Sequence, residues 1–161
     1  MSDDKKFRDW DDRYAGSDYL FGTAPNDFLK SVADRLAPNS QILCLADGEG
    51  RNGAYLATLG HKVTAIDQSR VGLKKAKKLA QQKQVSIETI KADLAEYDLG
   101  VESWDCIVSI FFHIPSAVRA HIYPRIITAL KPGGILILES YTPEQLNHGT
   151  GGPPIADLML T

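Results

Sequence analysis

Five short strand-like segments, most of them nearly uninterrupted apolar runs and each leading into a polar or acidic turn, constrain this chain more than any other feature. They are Gln41 to Ala46, Lys62 to Ile66 (ending at Asp67), Ser86 to Lys91 (ending near Asp93), Trp104 to Phe112 and Ile135 to Glu139. Their length and apolar content read as buried strands. Between them the apolar residues recur at helical spacing: Asn52 to Leu59, Ser69 to about Gln82, and about Ser116 to Leu130. An earlier helix starts from Pro25, with Phe28, Leu29, Val32, Ala33 and Leu36 on its apolar face.

Turn chemistry agrees with these boundaries. Thr23 or Ala24 precedes Pro25, a proline suited to a first helical turn, and Pro38-Asn39-Ser40 stops that helix. Gly60 closes the second helix and Ser69 caps the third. Pro124 is expected to kink or divide the fourth, and Lys131-Pro132-Gly133-Gly134 reads as a tight turn before the fifth strand. Strands without polar alternation, separated by helices, imply a mostly parallel sheet covered on both faces. Right-handed crossovers then give a Rossmann-like, doubly wound α/β sheet. Ligands of such sheets bind at the carboxyl ends of the strands, near the point where strand order reverses. Asp47, Asp67, Asp93 and His113 follow strands one to four, so all four are expected at one crevice.

The 161 residues suit a single domain: an aromatic cover (1–23, with Phe7, Trp10, Tyr14, Tyr19 and Phe21), a core (24–140) and a loop with a shortened C-terminus (141–161). Eighteen basic against twenty acidic residues leave a net charge of −2, which supplies no global attraction for nucleic acid or an anionic membrane. The N-terminal residues carry no apolar leader, and no run approaches the roughly 20 apolar residues of a membrane span. Cys44 and Cys106 sit inside apolar runs without a second ligand at metal spacing, so they read as buried reduced thiols of a cytoplasmic protein, with no metal site. Lys74, Lys75, Lys77 and Lys78 read as a solvated helix face.

Gly48-Glu49-Gly50-Arg51-Asn52-Gly53 fits G-x-G-x-x-G between a strand and a helix, where the backbone must turn sharply and a ligand can press against it. Asp67 ends the second strand 19 residues after Gly48, the distance at which a carboxylate accepts from both ribose hydroxyls. Asp93 is placed to accept from an adenine amine. These features fit a nicotinamide dinucleotide and a methyl donor equally.

The rest of the chain separates them. Ile42 to Gly50 resembles motif I of class I S-adenosylmethionine-dependent methyltransferases, Val63 to Ser69 their second motif, and Ala92-Asp93-Leu94 their third. Leu130 to Leu136 is similar to the turn before their fifth strand. Trp10 to Tyr14, Phe21 to Leu29, Arg51-Asn52 and Phe112-His113-Ile114-Pro115 resemble the tellurite-resistance (TehB-like) and thiopurine-methyltransferase-like subgroup. The resemblance implies that S-adenosylmethionine is the cofactor. Gly48 and Gly50 would admit its methionine portion, Asp67 would hold its ribose, Asp93 its adenine amine, and Leu94 would flank the ring. Trp10, Arg13 and Tyr14 would close the methionine end, and Asn52, Gln68 and Ile110 complete the cofactor-binding candidates. Cys44 and Ala46 stand where the family commonly has an acidic residue and a glycine. Asp47 is the carboxylate available to compensate.

Methyl transfer from a sulfonium is an in-line displacement that depends mainly on alignment. The expected acceptor is a small molecule: a soft anion, a thiol or an oxyanion. His113 is the candidate base or acceptor contact, although beside Phe112 and Ile114 it also reads as a packing residue. Glu139, Ser140, Tyr141 and, more remotely, His148 could line the acceptor side. Two alternatives stand beside this reading: an NAD(P)-dependent oxidoreductase with the same glycine loop, and a donor-binding module without transfer activity. Members of the class usually carry seven strands, so five leave an uncovered apolar edge, open to self-association or a partner subunit.

Overall fold

The structure is a computed structural model that describes residues 10–142 and Asp157. Phe7, His148, the 150–154 stretch and the apolar residues after it (Asp157 excepted) lie outside the described residues. The strands are β1 (Gln41–Leu45), β2 (Lys62–Asp67), β3 (Glu88–Lys91), β4 (Trp104–Ile110) and β5 (Leu130–Glu139). The helices are α1 (Trp10–Arg13), α2 (Asp27–Val32, continued by a 3-10 turn, Ala33–Arg35), α3 (Arg51–Thr58), α4 (Arg70–Gln82) and α5 (Ser116–Ala129). Strand order is β3-β2-β1-β4-β5 with every neighbouring pair parallel, so the order reverses between β1 and β4. The doubly wound class expected from the strand–helix alternation is the one observed.

Side chains alternate across a strand, and here both faces are covered. Ile42 and Cys44 of β1 join Ala65, Cys106 and Val108 in a core with Leu29 of α2, Leu56 of α3 and Ala76 of α4. Leu43 and Leu45 face the other way, with Ile66 and Ile107, onto Ile122 and Ile126 of α5. Cys44 and Cys106 are buried free thiols, and desolvation pushes Cys106 up to about 12 and Cys44 well above the usual thiol range. No helix among the described residues is long and apolar enough to cross a membrane.

Several boundaries differ for local reasons. Asn26, not Thr23 or Ala24, caps α2: its Oδ1 accepts from Leu29 N–H (2.9 Å), which places Pro25 before the helix. Ser69 caps α4 as expected, its Oγ accepting from Gly72 N–H (2.9 Å). Pro124 does not divide α5, because Ile122, Ile126 and Ala129 on both sides of it are buried in one core. The Lys131–Gly134 segment belongs to β5 instead of preceding it. Leu130 already pairs with Trp104, and an irregularity in register before Cys106 absorbs the extra residues, with Gly133 at φ +79°. β4 stops at Ile110 because Phe111 takes a left-handed backbone, φ +51°. Asp157 caps α5, accepting from Ser116 N–H (3.2 Å) and Ser116 Oγ (2.5 Å). β5 forms one edge of the sheet among the described residues, with Leu136 exposed.

Candidate active site at the strand tips

Because the strands are parallel, Asp47, Asp67, Asp93 and His113 share the carboxyl-terminal edge of the sheet. Two of them meet through the glycine loop. Asp67 is only 6% exposed; its Oδ2 accepts from Gly48 N–H (2.9 Å) and its Oδ1 from Ser69 N–H (2.8 Å). Asp47 Oδ2 accepts from Gly53 N–H (3.2 Å). Enclosure of its carboxyl, then repulsion from Asp67, pushes Asp47 up to about 7. Burial also raises Asp67, against the backbone donors that pull it down. Two crowded carboxylates at the tips of β1 and β2 favour a positively charged ligand.

The loop glycines divide the labour. Gly50, at φ +85°, turns the chain into α3, and a Cβ there would lie 2.5 Å from Ala76 Cβ and 2.7 Å from Ala76 Cα. Its bareness therefore serves the contact between the loop and α4. Gly48, at φ +56°, faces Tyr14, whose Oη lies 2.5 Å from where a Cβ would be. Ala46 adopts φ +51°, a conformation that costs a non-glycine residue about 1–2 kcal/mol. This is the physical reason a glycine suits that position. Ala46→Gly is expected to stabilise the protein by about 0.5–1 kcal/mol, because the lost strain exceeds glycine's extra unfolded-state entropy. A thermal melt checks it, and an unchanged or lower midpoint would contradict it.

Residues 10–20 cover this edge. Asp11 Oδ1 accepts from Ser69 Oγ (2.5 Å) and Val71 N–H (3.3 Å), tying α1 to the start of α4. Trp10 stacks on Tyr14 at 5.4 Å, and the Arg13 guanidinium lies 4.3 Å from the Trp10 ring centroid. Tyr14 is buried against Gly48 and Gly72; burial, then the charges of Asp67 and Glu49, raise its phenol. Further along, Glu49 Oε1 accepts from Leu20 N–H (2.7 Å) while its Oε2 pairs with Lys75 Nζ (2.7 Å). Lys75 Nζ also donates to Asp18 O (2.7 Å). Lys75 is thus an anchor for the cover rather than part of a solvated face, whereas Lys74, Lys77 and Lys78 are exposed.

The other candidates scatter. Asn52 turns its Oδ1 to Asn26 N–H (2.8 Å) and so fixes the start of α2. Gln68 is exposed. Asp93 is exposed, and its Oδ1 accepts from Ala95 N–H (2.9 Å) in its own turn. Leu94 and Ile110 are buried in the two cores. His113 is half-buried within reach of Phe111 and Tyr141, with ring centroids 6.2 and 5.7 Å away. Glu139 and Ser140 are half-buried at the end of β5. Asp11, Glu49 and Lys75 carry no site signal in the sequence. A charged residue inside G-x-G and a lysine in a lysine run give no hint of pairing until α4 lies beside the loop. Two surface depressions, of about 430 and 220 Å³, lie at the opposite end of the sheet, lined in part by Val101 and Lys131 and by Arg35 and Gly133.

Comparison with known proteins bears on the fold and the family. The uncharacterized methyltransferase YodH of Bacillus subtilis (strain 168) is 32% identical over 136 residues, covering 78% of this chain and 56% of that protein. The chain thus spans about half the length of the relatives it matches. Among solved structures, TehB from Haemophilus influenzae superposes with a TM-score of 0.66 at 24% identity, over 83% of this chain and 46% of that one. A SAM-dependent methyltransferase from Geobacter sulfurreducens, solved with S-adenosyl-L-homocysteine, gives 0.64 at 23% identity, over 81% and 54%. At these identities the structures establish a shared fold. The family model described as "Methyltransferase domain" matches residues 42–134, from the first strand through the Lys-Pro-Gly-Gly segment, and this chain belongs to that family.

Proposed function

We propose that the chain is the donor-binding core of an S-adenosylmethionine-dependent methyltransferase acting on a small-molecule acceptor. The observation that carries this reading is the hydrogen bond from Gly48 N–H to Asp67, which joins the glycine turn and the carboxylate at one locus. Backbone N–H groups of Gly48, Ser69 and Gln68 hold the Asp67 carboxylate in place at this tip, and its remaining acceptor capacity is what a ribose hydroxyl would use. Asp47, pushed up to about 7 by its surroundings and so only partly ionised near neutrality, is the group whose ionisation an ammonium or sulfonium would favour. S-adenosylmethionine, when bound, supplies an electrophilic methyl on a positively charged sulfur. The chain's own residues position and enclose: Asp67 holds the ribose, Asp93 and Leu94 border the adenine, and Trp10, Arg13 and Tyr14 close over the methionine end. The resemblance of the N-terminal segment supports the tellurite-resistance or thiopurine-methyltransferase-like subgroup, for which a soft anion, thiol or oxyanion is the acceptor to test first.

Calorimetric titration with S-adenosylmethionine, S-adenosylhomocysteine and NAD tests the reading. Binding of the sulfur ligands is expected; binding of NAD and neither of them would overturn it in favour of an oxidoreductase. The pH dependence adds a sharper expectation. In the free protein Asp47 keeps its proton up to about pH 7, whereas in the unfolded chain it is ionised above about 3.8. Its contribution to stability therefore declines as pH rises through that window and is lowest above about 7. Donor binding to the ionised form has the opposite slope: affinity rises as pH approaches about 7, flattens above it, and releases a proton below it. Asp47→Asn is expected to remove that slope; a pH-independent affinity in the unaltered protein would exclude Asp47 from the donor site.

A further inference from the structure

The ends of β4 and β5 hold a combination of groups that donor binding does not use. Phe111 stands at φ +51°, an outlier for a bulky residue, and strain of this kind gathers at functional sites. Its N–H donates to Glu139 O (2.8 Å), and its ring stacks on Tyr141 at 4.8 Å with 21° between the planes. His113 stacks on Tyr141 in turn, 5.7 Å away, so three half-buried rings form one cluster. Glu139 pairs in register with Ile110. Ile135 and Ile137 pack in the same core as Ile110 and Phe111, and strand alternation puts the Glu139 side chain on that face as well. Glu139 Oε2 is buried, with no hydrogen-bond partner among the described residues.

A buried carboxylate oxygen without a donor is costly, and its nearest means of relief is a positive group with N–H donors. Aromatic faces share that preference, since their quadrupole attracts cations. An anionic acceptor would meet repulsion from both. We infer that the acceptor is an amine that arrives as its ammonium form, its nitrogen directed to Glu139 and its substituents against Phe111, His113 and Tyr141. This rests on the methyltransferase reading and narrows its acceptor to a class other than the soft anion suggested by resemblance. For transfer, the ammonium passes one proton to the Glu139 carboxylate, which frees the nitrogen lone pair. That pair forms the new N–C bond as the methyl–sulfur bond breaks, and the bonding electrons remain on sulfur as a neutral thioether. The methylated product leaves as an ammonium, and Glu139 returns its proton to water.

The test is calorimetry on the full chain loaded with S-adenosylhomocysteine, using benzylamine, benzyl alcohol, benzyl mercaptan and benzoate, which share a ring and differ in the head group. Benzylamine is expected to bind at least about tenfold more tightly than the other three, the usual scale of a hydrogen bond to a charged group. Glu139→Gln should abolish that preference while leaving S-adenosylhomocysteine affinity unchanged and the melting temperature no lower, since it removes a buried charge without a partner among the described residues. Tyr141→Leu should weaken all four ring compounds, and benzylamine most, because it also loses the cation's aromatic contact. Equal binding of the four, no binding of any, a preference for benzoate or the mercaptan, or a preference that survives Glu139→Gln would overturn the inference. If Glu139→Gln does not fold, the four-compound comparison on the unaltered chain decides by itself. Failure to bind S-adenosylhomocysteine at all would overturn the methyltransferase reading and this one with it, whereas donor binding without amine selectivity overturns this one alone.

Discussion

Gly50→Ala is expected to lower the melting temperature by about 4–20 °C, or to leave no folded protein. Two costs coincide at this position. A left-handed backbone at φ +85° costs alanine about 1–2 kcal/mol. A Cβ placed 2.5 Å from Ala76 Cβ and 2.7 Å from its Cα forces the loop away from α4, and overpacking of this kind typically costs about 1–3 kcal/mol more. Together these are a large share of the roughly 5–15 kcal/mol that holds a domain folded. In a chain of this size each kcal/mol moves the midpoint by about 2–4 °C. Ala76→Gly in the same background removes one of the two clashing atoms. It should recover part of the loss, leaving the dihedral cost and the contact with Cα. If Gly50→Ala melts like the unaltered protein, the loop is not held against α4 as described.

The second large effect belongs to Asp67→Ala. Its removal leaves Gly48 N–H and Ser69 N–H without their acceptors in a buried setting, at about 1–3 kcal/mol each. Relief of the repulsion on Asp47 offsets some of this, so Asp47 should also titrate lower in the variant. The net expectation is a loss of about 2–4 kcal/mol in denaturant unfolding and donor affinity weakened by more than tenfold. Asp67→Asn keeps one accepting oxygen but turns an amide donor toward the other N–H, and should fall between. Unchanged donor affinity in a folded Asp67→Ala protein would remove this residue from the site.

The sheet was legible because its signals are local. Continuous apolar runs such as Ile42 to Leu45 need cover on both faces, and Ser69 announces α4 by a side chain that reaches only three residues ahead. Boundaries failed where tertiary packing overrode local chemistry, as at Pro124, where a buried stripe carries the helix through, and at Lys131–Gly134, where register with β4 turns an expected turn into a bulge. The tips of β1 and β2 were legible for the same reason as the strands: Asp47 and Asp67 follow apolar runs whose ends the topology brings together. The clamp formed by Glu49 and Lys75 was not, because the two residues belong to separate elements that meet only after folding. Asn52 shows the converse. Its place beside the glycine loop suggested a ligand contact, yet its side chain holds Asn26, a residue whose role as cap depends on the same meeting.

The donor is expected to be gripped where the glycine turn meets the second strand's carboxylate. Backbone amide spectra recorded while S-adenosylhomocysteine is added examine that location directly. The largest shifts are expected at Gly48, Asp67, Gln68 and Ser69, with Val101 and the Lys131–Gly134 segment silent at the far end of the sheet. Shifts concentrated in those distant residues, with the Gly48 and Ser69 amides unmoved, would contradict it.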